Sequence, residues 1–153
     1  MINLDDRALT AALARIEQTT NDLPAIAEQT RAETLGHLII GANANIYATQ
    51  PGAYRRTGEY LRGLNATART TALRATVIAS NDADHARDVE TGETGNLLQL
   101  QAQAAARSNP RAAFTLGRSG INWARPGPVI TGAQAFAAYR LRELFVLKVR
   151  AVR

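Results

Sequence analysis

Apolar residues recur at three- and four-residue spacing through the first third of the chain. Leu9, Ala12, Leu13 and Ile16 mark a helix over residues 4–20. Asp5 and Asp6 lie near its positive N-terminal end. Thr19-Thr20-Asn21-Asp22 interrupts it, and Pro24 suits the first turn of a second helix capped by Asn21 or Asp22. Ile26, Leu35, Leu38, Ile39, Ala42 and Ile46 carry that helix to about Ala48, where Pro51-Gly52 ends it. Gly36 and Gly41 each cost about 1 kcal/mol against alanine within a helix. Close packing against a neighbouring backbone would explain them.

Beyond residue 52 the period changes. Residues 58–69 pass from a mixed pattern into alternation, and Leu73–Ala79 is rich in strand formers, with Thr70-Thr71 as the turn between two strands. A third strand, or a short helical turn entering one, covers His85 to Glu90. Leu97–Arg107 is helical by propensity, but Gln99, Gln101 and Gln103 leave it a poor apolar face. Asn109-Pro110 breaks it, and the glycines and prolines of 117–128 make residues 93–128 read as a long loop or arm, a feature that in compact domains is usually functional. Thr131-x-x-Gln134 fits a capping box, and Phe136, Tyr139, Leu144 and Leu147 predict a helix to about residue 147. Basic residues at 140, 142, 148, 150 and 153 favour the negative helix end, although 147–153 also alternates as a strand would. The order is helical over 1–50, sheet over 54–92, loop or arm over 93–128, then a C-terminal helix and tail over 129–153.

With 153 residues the chain has the length of one domain with one core. Only 5% of it is aromatic, so an apolar fraction of 46% predicts a core of aliphatic residues and alanine. No apolar run reaches 18 residues, so no membrane span is expected. Met1-Ile2-Asn3-Leu4-Asp5-Asp6 lacks a signal-peptide pattern. Without cysteine there are no disulfides, thiolate zinc sites or cysteine nucleophiles, which fits folding in a cytoplasm. Charge is lopsided. Residues 1–50 hold three arginines against six acids, and residues 51–153 hold fifteen basic residues against seven acids. Every basic residue except Lys148 is arginine, a planar donor fork suited to carboxylates, phosphates and protein interfaces. A GC-rich genome would produce the same bias.

Enzymatic chemistry finds little support. Asp82, Asp84, His85, Asp88 and Glu90 could hold a divalent metal and activate water. Yet neighbours on a strand point to opposite faces, and no second carboxylate–histidine group completes a motif; a solvated turn is the plainer reading. His37 reads as a partly buried or boundary histidine without a catalytic partner. No serine sits in a Gly-x-Ser-x-Gly context, and Gly92-Glu93-Thr94-Gly95 lacks the Lys-Ser/Thr ending of a phosphate loop. No cofactor is implied. A basic nucleic-acid-binding module is the stronger alternative: Arg55, Arg56, Arg62, Arg69 and Arg74 lie within twenty residues, with Tyr54 and Tyr60 among them. Arginine and tyrosine also dominate protein–protein hot spots, and a solvated, salt-bridged face would use the same residues.

Three stretches in order resemble the head–tail joining and tail-completion family of tailed bacteriophages, which includes tail terminators and minor tail proteins. Thr57-Gly58-x-x-Leu61-Arg62 is similar to its Thr-Gly and Leu-Arg pairs. Ala86-x-x-Val89-Glu90-x-Gly92 matches its second motif, with His85 where tyrosine is usual. Arg125-Pro126-Gly127-Pro128 matches the Pro-rich entry to its closing helix. The likeness covers about residues 25–147, departing at Gly52–Arg56 and in a long insertion over 93–124. It implies an α+β fold, a small mainly antiparallel sheet flanked by an N-terminal helical segment and a C-terminal helix. It further implies a virion protein of the neck or tail, assembled in the host cytoplasm. Such a protein is not an enzyme; it forms a cyclic homo-oligomer, a hexamer, that ends the tail and joins it to the head. Its partners would be itself, the tail tube protein and head-connector proteins, with non-specific contact to DNA in the lumen and none to membrane. On that reading Arg55, Arg56, Arg62, Glu90, Gly92 and Trp123, with the 93–124 stretch, serve subunit or partner contacts. Thr57 and Gly58, in the same set, set the turn geometry.

Overall fold

The computed structural model describes residues 6–152, which form an α+β fold of six α-helices and one two-stranded antiparallel sheet. Leu4, Asp5 and Arg153, used above for helix ends, lie outside the described residues. Helix α1 covers Arg7–Thr20 and α2 covers Leu23–Ala42. Asp6 and Asp22 occupy their N-cap positions, but neither side chain bonds into its helix.

α2 is the central element and packs on α6 (Val129–Ala151) and on both strands. Its buried positions include Ile26, Thr30, Thr34, His37, Leu38 and Gly41, one stripe at three- and four-residue spacing. Of the two helical glycines, Gly41 is the one at a close approach. A Cβ there would meet Val129 Cγ1 at 3.4 Å, whereas Gly36 has nothing within 4 Å. The α-helix predicted to reach Ala48 ends at Ala42 and gives way to a wider π-turn, Asn43–Tyr47. That change of winding goes with an inward Asn45, whose Nδ2 donates to the carbonyls of Gly41 at 3.0 Å and Phe114 at 2.9 Å.

After the short helix α3 (Glu59–Arg62), β1 (Leu64–Thr71) pairs with β2 (Arg74–Asn81). Ala66 stands opposite Ala79, both buried against α2, and this inward pair holds the register. The turn therefore falls at Ala72-Leu73, not at Thr70-Thr71, because Thr70 and Thr71 are paired within the ladder. Of the two expectations for His85–Glu90 the short helical turn is the one found, though it enters no strand: α4 (Ala86–Thr91) buries Ala86, Val89 and Glu90. The core is aliphatic and alanine-rich, joining Leu38, Ala42 and Ile46 to Ala66, Ala79, Ala86 and Val129.

Residues 93–128 are loop around one helix, α5 (Leu97–Ala105), capped by the Asn96 side chain. This stretch lies on the body: Leu100, Ala104 and Phe114 are buried, and Gly120 exchanges backbone bonds with Gln50 (2.8 Å) and Ala53 (2.9 Å). α1 is exposed from Arg7 to Gln18 and meets the body at α6. α6 runs four residues past the predicted end, to Ala151. Its N-cap position is Pro128, and Thr131, inside the first turn, makes no capping box with Gln134.

Candidate functional site

A cleft of about 380 Å³ opens between the π-turn, residues 54–60, α4 and the 118–123 loop. It gathers four of the residues expected at an interface, Arg55, Arg56, Thr57 and Trp123, with Tyr54, Tyr60, His85, Asp88 and Arg118. The far wall is positioned by a glycine pair. A Cβ on Gly52 would fall 2.3 Å from the Gly120 carbonyl carbon, so only two glycines let these loops meet.

The arginines have separate tasks. Arg56 donates to the carbonyls of Tyr47 (3.1 Å), Thr49 (2.7 Å) and Gln50 (3.0 Å), closing the open carbonyl end of the π-turn. Arg62 lies outside the cleft and reaches back to the Thr57 carbonyl at 3.3 Å. Between them Gly58 adopts φ 77°, the left-handed conformation that lets Thr57-Gly58 turn the chain into α3. Arg55 is exposed at the rim. Arg118 donates to the Trp123 carbonyl and, at 2.8 Å, to that of Arg125, and its guanidinium lies 5.8 Å from the Tyr54 ring centre. Burial, and then the nearby Glu90 carboxylate, hold the Tyr60 phenol far above its ordinary range, so it stays a neutral hydroxyl.

Glu90 and Gly92 are elsewhere and face inward. The Glu90 carboxylate accepts the backbone N–H groups of Ile130 (2.9 Å) and Thr131 (2.7 Å) and the Thr131 hydroxyl, capping α6. Burial raises its pKa, and these donors oppose the shift. Gly92 has φ 60°, and a Cβ there would strike the Ala124 carbonyl oxygen at 2.2 Å. Gly127 N–H donates to the Val89 carbonyl at 2.8 Å. The Val89-Glu90-x-Gly92 and Arg125–Pro128 stretches thus touch along their length, and within the subunit Glu90 caps α6 while the half-buried Gly92 lets the two stretches meet.

Among the described residues, no three histidine, aspartate or glutamate side chains gather as a metal-holding group. Glu90, counted in the acidic cluster, is turned away to α6. The arginine–tyrosine set does not form one platform either: Tyr60 is only 2% exposed and Arg56 is committed to carbonyls. His37 is fully interior and stacks on Phe136, ring centres 4.5 Å apart. Arg118 and Tyr47 line the cleft without having been singled out from the sequence, and Arg118 is the charged one. Its one signal is local, the flanking Gly117 (φ 78°) and Gly120, which shape a loop around it. No described helix is long and apolar enough to cross a membrane. Set against family models, curated proteins and solved structures, the chain matches none.

Proposed function

We propose that this chain is a structural protein of a tailed-bacteriophage virion. It is one subunit of a ring, a hexamer, at the neck or top of the tail, which completes the tail and joins it to the head. The observation that carries the reading is α1. Among the described residues its predicted apolar stripe is left open, with Leu9 63%, Leu13 57% and Ile16 44% exposed, on a helix whose main contact with the body is α6. An amphipathic helix whose apolar stripe its described neighbours leave open is a contact surface for another chain. α1 itself carries Arg7 and Arg15 against Glu17, so the contact it offers is chiefly apolar. Met by a different surface on the next subunit, such a helix makes the head-to-tail contact that closes a ring.

The resemblance supports the same reading, and the contact between two of its motif stretches gives them a shared architectural role. The mechanism is assembly and not turnover. α1 of one subunit docks on the next, while the cleft and the Arg69–Arg74 end of the hairpin face tail tube, head connector or lumen DNA.

The test is the solution mass by light scattering at moderate salt, alone and with tail tubes of the same phage. A closed ring, or a stable complex capping the tubes, is expected. A monomer that ignores tubes but binds DNA with steep salt dependence would favour the nucleic-acid module instead.

A further inference from the structure

The floor of the cleft holds a cation with no anion. Arg118 is 9% exposed, yet the ion pairs of the described residues do not include it. One of its amino groups serves the Trp123 and Arg125 carbonyls, while its buried Nε finds no acceptor. The Tyr54 hydroxyl beside it is equally withdrawn from solvent and equally unpartnered. Buried donors left unpaired, and above all a buried unpaired charge, are unfavourable enough that native proteins rarely keep them without use. The Tyr60 hydroxyl finds no partner either. Above this floor Arg55 stands at the rim without an ion pair of its own, and Tyr47, Tyr60 and Trp123 add aromatic walls.

We propose that the cleft is a binding site for a carboxylate, presented by an acidic side chain of another polypeptide. Arg118 and Tyr54 are its deep contacts and Arg55 its rim contact. A carboxylate accepts only, so it suits the Arg118 guanidinium lining the cleft and an Arg55 fork at its rim, and the unpartnered Arg118 Nε–H and Tyr54 hydroxyl become its donors when those side chains turn towards it. The rim sets the class of ligand. Asp88 and Glu59 are exposed there, and the flanking charges of a nucleic-acid strand would fall on them. A single carboxylate on an otherwise neutral segment brings its only charge to the floor. At about 380 Å³ the cleft is at the small end of ligand pockets, roughly 300–1,000 Å³, with room for one or two side chains. The inference does not rest on the virion reading, because the isolated chain suffices to test it.

Trp123 is the chain's only tryptophan and lines the cleft, so it reports occupancy directly. The probes are a capped alanine pentapeptide with one central glutamate, its glutamine counterpart, and inorganic phosphate. The expected result is a saturable change in Trp123 fluorescence with the glutamate peptide only, with matching amide NMR shifts at residues 54–57. Tyr54→Phe and Arg55→Gln should each weaken binding about three- to tenfold. Both spare the carbonyls that Arg118 holds, so folding is not at stake in either. Equal binding of the two peptides, tighter binding of phosphate, unchanged affinity in both variants, or no saturable response by either method would overturn the proposal.

Discussion

The Glu90 carboxylate and Thr131 form the joint between α4 and α6: one oxygen accepts both the backbone N–H of Thr131, at 2.7 Å, and its hydroxyl. A helix begins with unsatisfied N–H groups, and here a side chain forty-one residues away satisfies them. Removing it leaves buried donors orphaned. Glu90→Ala should cost about 2–4 kcal/mol in urea unfolding, and Thr131→Ala about 1 kcal/mol. A double-mutant cycle should show strong coupling between the two, and additive effects would sink the capping account.

Gly92→Ala should destabilise the fold by at least about 1–3 kcal/mol. The residue holds φ 60°, and the added Cβ would meet the Ala124 carbonyl oxygen at 2.2 Å. Gly36→Ala is the control: it has open space and helical backbone, so it should stabilise by a few tenths to about 1 kcal/mol. Thermal melts of the pair decide the matter.

His37 predicts a pH dependence. Burial lowers its pKa below the ordinary 6.5, and nearby Arg107 adds to the shift, while the carbonyls of Ala112, Arg111 and Pro110 partly oppose it. The folded protein therefore binds this proton less readily than the unfolded chain does. Stability attributable to His37 is intact above pH 6.5 and is lost as pH falls from there towards the lower folded value. Denaturant titrations from pH 8 to 5 should show wild type losing stability relative to His37→Leu, by no more than about 1.4 kcal/mol per pH unit. Parallel curves would contradict the shift.

Charge reversal separates the two arginines of Arg55-Arg56. Arg56 closes the π-turn, so Arg56→Glu should lower stability by about 1–3 kcal/mol and confound any assembly assay. Arg55 is exposed and holds nothing in its own chain, so Arg55→Glu should leave unfolding within about 0.5 kcal/mol of wild type. A loss of partner binding in Arg55→Glu alone then reports the interface.

On α1, Leu9→Ser with Leu13→Ser should leave the monomer's melting curve nearly unchanged, because both side chains already face solvent. The same double variant should shift the mass distribution by light scattering towards monomer. An unaltered ring would remove α1 from the interface.

Much of the fold was legible in the residue pattern because helices declare themselves locally. The stripe of Ile26, Leu38 and Ala42 locates α2, with its start right to one residue and its end overrun by six, where the π-turn takes over. The errors fall where a distant residue takes over. Thr131-x-x-Gln134 has the form of a capping box, but Glu90 outbids Gln134 for the same donors. Val89 and Glu90 resemble strand residues until α6 and Gly127 are placed beside them. The turn at Ala72-Leu73 carries no turn chemistry, since register there follows the Ala66–Ala79 pair. Of the candidate site, Arg55, Arg56, Thr57 and Trp123 could be chosen in advance, while Arg118 had no periodic or motif signal.

What the sequence determined by itself is whatever depends on near neighbours: two helices broken at residues 19–22, a hairpin of β-branched and alanine residues, a closing helix, an alanine-rich core and a charge split between its two parts. Only the tertiary structure decided which surfaces are spent and which are left over. It turned Glu90 inward, laid residues 93–128 on the body, left the α1 stripe open and set Arg118 beside Tyr54 without an ion pair among the described residues. Burial and pairing depend on residues far apart in the chain, and local pattern carries no record of those distances.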